Sequence, residues 1–125
     1  MPFTATIREH FDAAHRLPDY DGLCANLHGH RWEVEVEVQQ LGGAASVKSM
    51  IIDFKELKQI LNEEVLTFMD HSYLNDLIPD PTAENITGWI VRQLQKRMAD
   101  IPNRTFALSR VRLYESPTTY VEWRG

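Results

Sequence analysis

The clearest pattern in the chain is an alternation of apolar and acidic residues, which predicts a strand with one buried face. Its apolar positions are Trp32, Val34, Val36 and Val38, and its acidic positions are Glu33, Glu35 and Glu37. Residues 3–8 alternate with the same period, which predicts an earlier strand. Two further strands are predicted near the end of the chain, around Leu108–Tyr114 and Thr119–Trp123.

The middle of the chain has the apolar spacing of helices instead. Asp53 followed three residues later by Glu56 fits a capping box, so a helix is predicted to start at Asp53. Its buried face is predicted to contain Leu57, Ile60, Leu61, Val65 and Phe68. A second helix is predicted after Pro81, with Thr82 as its cap. The buried stripe of that helix is predicted to contain Ile86, Trp89, Ile90 and Leu94.

The predicted elements follow in the order strand, strand, helix, helix, strand, strand, which indicates an α+β fold. We expect a four-stranded antiparallel sheet with both helices on one of its faces. Residues 39–43 are predicted to form the turn after the second strand, and residues 47–52 a further extended segment. Because 125 residues is the usual length of one domain, residues 1–125 are predicted to form a single domain. Open sheet edges in such a small fold favour oligomerisation.

Composition and charge narrow the classes of function. Hydrophobic residues make up 43% of the chain and charged residues 25%, which is a globular balance. The formal net charge of −5 disfavours a nucleic-acid backbone as the main partner, because phosphate binding favours a basic surface. The sequence has no signal-peptide pattern and no apolar run approaching ~20 residues, so we expect a cytoplasmic protein that does not enter a membrane.

Three histidines provide the first candidate chemistry. His28 and His30 enter the second strand two residues apart, so their side chains point to the same side. His15 follows the first strand, and antiparallel pairing would bring it alongside them. Three protein ligands with one open position are the pattern of a catalytic zinc site. The alternative is that the histidine pair merely occupies exposed polar positions on a strand.

Two further motifs carry candidate chemistry, each with a structural alternative. Cys24 is the single cysteine and lies four residues before His28. It is a fourth zinc ligand, an inert core residue, or a reactive thiol that acts as nucleophile or base beside the metal. Asp70 and His71 form either a proton relay or a helix-end pair in which the histidine interacts with the helix dipole.

Glu115 shares one side of a predicted strand with Val111 and Leu113, and that side is apolar. A carboxylate on an apolar side must be paired, hydrogen-bonded or functional. It is able to accept two N–H donors from a guanidine-like edge of a ligand. Alternatively, the strand ends before Glu115, which then lies in a solvated turn ahead of Pro117.

Taken together, these motifs resemble the 6-pyruvoyl-tetrahydropterin synthase superfamily. The matching blocks occur in the family order: FDAAH at 11–15, CANLHGH at 24–30, IDF at 52–54, DHSYLN at 70–75, PTAEN at 81–85, and Glu115. The Cys-x-x-x-His-Gly-His spacing is most similar to the bacterial 6-carboxy-5,6,7,8-tetrahydropterin synthase branch of queuosine biosynthesis. One departure is Ser49, which stands where the family usually has glycine.

The resemblance implies a tunnelling fold (T-fold), in which three subunits join their sheets into a barrel and two trimers stack into a homohexamer. It implies a Zn²⁺ site formed by His15, His28 and His30. It also implies a catalytic set composed of Cys24, Asp70, His71 and Glu115. In this set the thiol abstracts a proton, the aspartate–histidine pair relays protons from a neighbouring subunit, and the glutamate anchors the 2-amino-4-oxo edge of a pterin.

The activity implied by the resemblance is conversion of 7,8-dihydroneopterin triphosphate to 6-carboxytetrahydropterin, triphosphate and acetaldehyde, with zinc as a Lewis acid. Two alternatives stay open. One is the same fold with a different product: either a 6-pyruvoyl-tetrahydropterin synthase, which eliminates triphosphate without cleaving the side chain, or an enzyme that cleaves only the unphosphorylated pterin. The other is a non-catalytic, zinc-containing pterin-binding module, which the catalytic set disfavours because a pure binder has no use for the thiol.

Overall fold

The structure is a computed structural model that describes residues 2–18, 20–42 and 49–125, without the side chain of Cys24. Its described strands are Thr4–His15 (β1), His28–Gln40 (β2), Ser72–Tyr73 (β3), Phe106–Ser116 (β4) and Thr119–Arg124 (β5). They form one sheet in the order β3-β1-β2-β4-β5. The pairs β1–β2, β2–β4 and β4–β5 are antiparallel, as the sequence predicts.

The helices lie between β2 and β4 in the chain. The helical segments are Phe54–Leu61 (α1), a π-helical continuation at Asn62–Leu66, Thr67–Met69 (α2) and Ala83–Ala99 (α3). The predicted caps are both present. The Asp53 carboxylate accepts a hydrogen bond from the Lys55 N–H at 2.9 Å, one residue earlier than a capping box requires. The Thr82 hydroxyl accepts one from the Asn85 N–H at 3.1 Å.

The sheet differs from the predicted four strands by the addition of β3. This short strand pairs in parallel with β1, where Ala13 lies opposite Ser72 and Ala14 opposite Tyr73. The pairing begins at a hydrogen bond of 2.6 Å from the His71 N–H to the Asp12 carbonyl. Two residues are too few for an alternation of polar and apolar side chains, so the sequence pattern contains no signal for this strand.

Apolar side chains cover one face of the sheet, and both long helices pack against that face. The face is formed by odd-numbered residues of β1, such as Ile7 and Phe11, and even-numbered residues of β2, such as Trp32 and Val34. These side chains share one core cluster with Leu57 and Ile60 of α1 and with Ile86, Ile90 and Leu94 of α3. The predicted arrangement of both helices on one sheet face is therefore confirmed.

The prediction that Phe68 lies on the buried face of the first helix is wrong. Phe68 is 53% exposed and makes an edge contact with Trp89, whereas Met69 is fully buried. The π-helical segment that ends at Leu66 adds residues to one turn, so the buried stripe moves by one position after it. A constant helical period applied across this segment selects the wrong residue.

The extended segment predicted at residues 47–52 is not a strand in the part that the structure describes. Residues 43–48 lie outside the described residues, and residues 49–52 contain bends rather than strand pairing. Ser49 has a φ of 65°, in the left-handed region that glycine adopts without steric cost. This backbone conformation explains why glycine suits the position.

The face of the sheet opposite the helices carries a network of ion pairs. Glu35 is 6% exposed although no helix covers it, because it pairs with Arg8 and with Arg110 at 3.2 Å. Arg110 also pairs with Glu37 at 3.2 Å, and Arg112 pairs with Glu122 at 2.5 Å. Burial acts to raise the pKa of Glu35, but the hydrogen bonds and charges of the two arginines outweigh it and hold the pKa below its ordinary value.

No helix among the described residues combines the length and the apolar character needed to cross a membrane.

Replacing Glu35 with glutamine is expected to lower the free energy of unfolding at neutral pH by about 2 kcal/mol, because charge-assisted hydrogen bonds are lost. Since the folded pKa is below the ordinary 4.5, the ionised carboxylate stabilises the fold above that pH. This contribution disappears as the pH falls through the lowered pKa. Urea unfolding of wild type and variant at neutral pH and at about pH 3 therefore measures a difference that shrinks with acid.

Glu33→Gln is the matched control, because Glu33 lies on the same strand face with 35% of its side chain exposed and one arginine contact at 3.4 Å. Its effect is expected to stay below about 0.5 kcal/mol. Equal effects of the two substitutions would contradict the importance assigned to Glu35.

Candidate metal centre and active site

The pairing of β1 with β2 brings three histidines together. His15 lies opposite His28, and Ala13 lies opposite His30, so all three imidazoles project from the helix-facing side of the sheet. Ligand atoms of these histidines and of Glu115 all lie within 4.8 Å of one another. The structure thus assembles the three predicted metal ligands and adds a carboxylate to them.

Backbone carbonyls fix the tautomers of two of these rings. The Nδ1 atom of His15 lies 2.8 Å from the Pro81 carbonyl oxygen, and that of His28 lies 2.7 Å from the Asn26 carbonyl oxygen. Because a carbonyl only accepts, both Nδ1 atoms carry the proton, and each Nε2 keeps a free lone pair. The Nε2 of His15 is buried and has no hydrogen-bond partner among the described residues.

Trp32 forms the floor of the cluster. It is fully buried, and its indole meets the rings of His15 and His30 edge-on, with centroids 5.0 and 5.2 Å apart. Its Nε1–H donates a hydrogen bond of 3.2 Å to the Ala13 carbonyl. The indole therefore packs against two of the three imidazoles.

Glu115 lies where the apolar side of β4 reaches the histidines. Its strand position continues the side occupied by Val111 and Leu113, so the predicted strand does extend to Glu115. A carboxylate oxygen of Glu115 lies 3.3 Å from the Nε2 of His30, but the two atoms are not oriented for a hydrogen bond. Burial lowers the pKa of His30, Glu115 acts to raise it, and the net shift is downward.

The chemistry of this donor set fits a divalent transition metal. His15 and His28 present free Nε2 lone pairs, and the lowered pKa keeps His30 neutral at physiological pH. Neutral imidazole is a common ligand of zinc, and the carbonyl partners of the other ring nitrogens are the outer contacts that such ligands usually have. The described residues are therefore able to hold a metal at three histidines.

Asp70 and His71 lie in a second cluster, which they share with Asp12. The His71 Nδ1 is 3.1 Å from one Asp70 carboxylate oxygen, and the other oxygen accepts a 3.0 Å hydrogen bond from the Asp12 N–H. His71 has a φ of 61°, and 78% of its side chain is exposed. Their ligand atoms do not join the histidine cluster of the same chain.

Asp12 and Arg31 are site neighbours that the sequence reasoning missed. The Arg31 guanidinium donates to both carboxylate oxygens of Asp12, at 3.0 and 3.3 Å. This hydrogen bonding lowers the pKa of Asp12. The signal was present in the sequence, because strand pairing that places His15 opposite His28 also places Asp12 opposite Arg31.

Cys24 is carried by a 3-10 turn at Leu23–Ala25, three residues before β2 begins. Its side chain lies outside the described residues, so its predicted role stays a prediction. The turn ends at Asn26, whose carbonyl is the partner of His28. The backbone that carries the thiol is therefore continuous with the contact that fixes the tautomer of His28, one of the three predicted metal ligands.

A cavity of about 640 Å³ opens beside the histidine cluster, lined by His30, Arg31, Tyr114, Glu115 and Pro117 among others. It is large enough for a small heterocyclic ligand. Another depression of about 360 Å³ lies between the start of α1 and the residues before β4, and its lining includes none of the candidate residues.

Comparison with known proteins identifies the family. The family model described as 6-pyruvoyl tetrahydropterin synthase matches residues 4–125. The chain belongs to the 6-pyruvoyl tetrahydropterin synthase family. This finding confirms the resemblance inferred from the ordered sequence blocks.

Individual relatives agree with this family assignment. A 6-carboxy-5,6,7,8-tetrahydropterin synthase of Haemophilus influenzae is 32% identical, over 91% of this chain and 93% of that protein. A putative 6-carboxy-5,6,7,8-tetrahydropterin synthase of Archaeoglobus fulgidus is 37% identical, over 91% of this chain and 89% of that protein.

A solved structure confirms the predicted fold. The 6-pyruvoyl tetrahydropterin synthase of Caenorhabditis elegans superposes with a TM-score of 0.83 and 25% sequence identity. The match covers 100% of this chain and 96% of that one. The α+β sheet with two long helices is thus the T-fold of the 6-pyruvoyl tetrahydropterin synthase family.

Adding Zn²⁺ to metal-free protein is expected to stabilise the fold, because a ligand that binds only the folded state shifts the unfolding equilibrium. The expected gain is about 2.7 kcal/mol at a free concentration about 100 times Kd. Scanning fluorimetry measures it as a rise in Tm, and elemental analysis measures bound zinc. His15→Ala and His28→Ala are each expected to lose both signals.

His10→Ala is the control, because His10 is an exposed residue of the same strand β1 and does not belong to the cluster. It is expected to keep the full rise in Tm and the full zinc content. A His28→Ala protein that still binds zinc with wild-type affinity would show that the metal binds elsewhere.

Proposed function

We propose that the chain is a zinc-dependent 6-carboxy-5,6,7,8-tetrahydropterin synthase acting on 7,8-dihydroneopterin triphosphate. The homologues support a pterin synthase function, and two of them carry the 6-carboxy name across about nine-tenths of their length. The observation that carries the proposal is the convergence of three histidines and Glu115 within 4.8 Å beside an open cavity. The proposed reaction consumes one water molecule and gives 6-carboxytetrahydropterin, triphosphate and acetaldehyde.

The proposed zinc ligands are His15, His28 and His30. When bound, zinc would supply Lewis acidity at the hydroxyl groups of the substrate side chain. The protein prepares this site before substrate arrives, because Pro81 and Asn26 orient two of the rings through their backbone carbonyls.

Glu115 is proposed to bind the 2-amino-4-oxo edge of the pterin. Its carboxylate borders both the cavity and the His30 ring, which supports a bound pterin whose side chain would extend toward the histidines. Paired N–H donors on the ligand would meet the two carboxylate oxygens in the geometry that arginine uses. Cys24 is proposed as the base that removes a proton from the substrate side chain.

Asp70 and His71 are proposed to relay protons in the site of a neighbouring copy. They form a cluster separate from the histidines of their own chain, and the His71 ring is largely exposed. Sheet edges are available for such assembly, because β5 pairs only with β4 among the described strands and β3 covers only two residues of β1. We propose a homohexamer, built as a dimer of trimers, of single-domain chains.

The proposed setting is the cytoplasm and the proposed pathway is queuosine biosynthesis, where the 6-carboxytetrahydropterin product is consumed.

Mass spectrometry of the products from 7,8-dihydroneopterin triphosphate and zinc-loaded protein tests the activity. We expect 6-carboxytetrahydropterin and acetaldehyde in equal amounts. A 6-pyruvoyl product without acetaldehyde would assign the chain to the pyruvoyl activity instead. Absence of turnover by assembled, zinc-loaded protein would favour the pterin-binding module. Cys24→Ala is expected to bind substrate and lose turnover, as a base should.

Mixing two inactive variants tests whether the relay crosses between subunits. Cys24→Ala and His71→Ala chains are each expected to be inactive when assembled alone. Equal mixing during refolding is expected to restore about a quarter of wild-type activity, because a site then draws its thiol and its histidine from different chains. Activity of the mixture at the level of the single variants would place both groups in one chain.

A further inference from the structure

Arg16 contacts two segments that the proposed chemistry requires. It directly follows His15 at the end of β1. Its Nε–H donates a hydrogen bond of 2.8 Å to the Ala25 carbonyl, in the turn that carries Cys24. A single side chain therefore connects the end of the metal-binding strand to the backbone of the thiol.

Asn75 holds the backbone of Arg16 with both ends of its amide. The Arg16 N–H donates to the Asn75 Oδ1 at 2.9 Å, and the Asn75 Nδ2 donates to the Arg16 carbonyl at 2.8 Å. Asn75 belongs to the 3-10 turn at Leu74–Asp76, which directly follows β3. The segment that begins with Asp70 and His71 thus anchors the residue that reaches the Cys24 turn.

The turn itself has few other supports among the described residues. The Ala25 N–H donates to the Gly22 carbonyl at 3.1 Å, and the Asn26 N–H donates to the Leu23 carbonyl at 3.1 Å. Both bonds are internal to the turn and do not attach it to the rest of the fold. The Asn26 carbonyl joins the turn to the start of β2 through His28, and the Arg16 bond joins it to the end of β1, at the residue between Cys24 and Asn26.

We propose that Arg16 is a positioning residue that holds the Cys24 turn against the end of β1 through its Nε–H, with Asn75 holding Arg16 in place. This inference rests on the proposed function, in which the Cys24 thiol acts on a substrate bound beside the histidines. Arg16 acts through this hydrogen bond and not through its positive charge alone, because its Nε–H is the donor that reaches the Ala25 carbonyl.

Two substitutions separate the bond from the charge. Arg16→Met removes both, whereas Arg16→Lys keeps the charge and loses the planar donor. In both variants, amide hydrogen exchange of residues 23–26 is expected to become about fivefold faster, the factor that corresponds to one hydrogen bond. kcat is expected to fall about tenfold or more, with KM within about twofold and the zinc content unchanged.

Asn75→Ala provides a second route to the same effect, and faster exchange in residues 23–26 is expected there as well. Arg92→Met is the matched control, because Arg92 is an exposed arginine in α3 outside the site, and all three readouts are expected to stay at wild-type values. Exchange that is unchanged in Arg16→Met, or full activity in Arg16→Lys, would overturn the proposal. Loss of zinc would also overturn it, since Arg16 would then act on His15.

The exchange measurement needs no substrate, so it separates this inference from the proposed function. Wild-type protein that shows no turnover would refute the synthase activity. Exchange in the same samples would still decide whether Arg16 holds the turn.

Discussion

The register between β1 and β2 is the constraint on which the site depends. Twelve residue pairs fix it, from Thr4 opposite Gln39 to His15 opposite His28. Because side chains alternate between faces, a slip of one residue would move a whole strand's set of side chains to the opposite face. The buried pair of Phe11 and Trp32 makes such a slip costly, since an apolar ring would then face solvent. Core packing and the geometry of the histidine cluster are therefore set by the same pairing.

The same register also organises the polar face of the sheet. On β2, residues that alternate with the apolar ones are acidic, and arginines of β1 and β4 lie within reach of them. Glu35 is buried by these partners instead of by apolar groups, which is why a carboxylate tolerates low exposure there. One strand thus contributes to an apolar core on one side and to an ion-pair network on the other.

Much of this fold was predictable from the sequence because it depends on local periodicity. The alternation in β2 and the caps at Asp53 and Thr82 are short-range patterns, and each is confirmed. The predicted apolar stripe of α3 is confirmed at Ile86, Ile90 and Leu94, whereas Trp89 is only partly buried. The exposure of Phe68 was not predictable from a constant period, because the π-helical segment before it changes the number of residues per turn. The strand β3 is defined by its pairing with β1, a long-range contact that no local sequence pattern predicts.

The candidate site likewise has features that the sequence predicts and features that only the structure shows. The spacing of His28 and His30 predicts a shared side, and strand pairing brings His15 to it, so the geometry of the cluster follows from local rules. The Pro81 carbonyl that fixes the His15 tautomer lies 66 residues away, and such a contact is visible only in three dimensions. The family assignment and the similar solved structure confirm the fold that carries this cluster.

The left-handed backbone at His71 has a consequence for how this protein responds to selection. A side chain with a Cβ atom is disfavoured by roughly 1–2 kcal/mol at such a φ, and glycine and asparagine avoid most of that cost. Neither of those residues carries an imidazole. Enrichment of variants for thermal tolerance alone would therefore favour replacement of His71, and the replacement that relieves the backbone would also remove the imidazole proposed to relay protons.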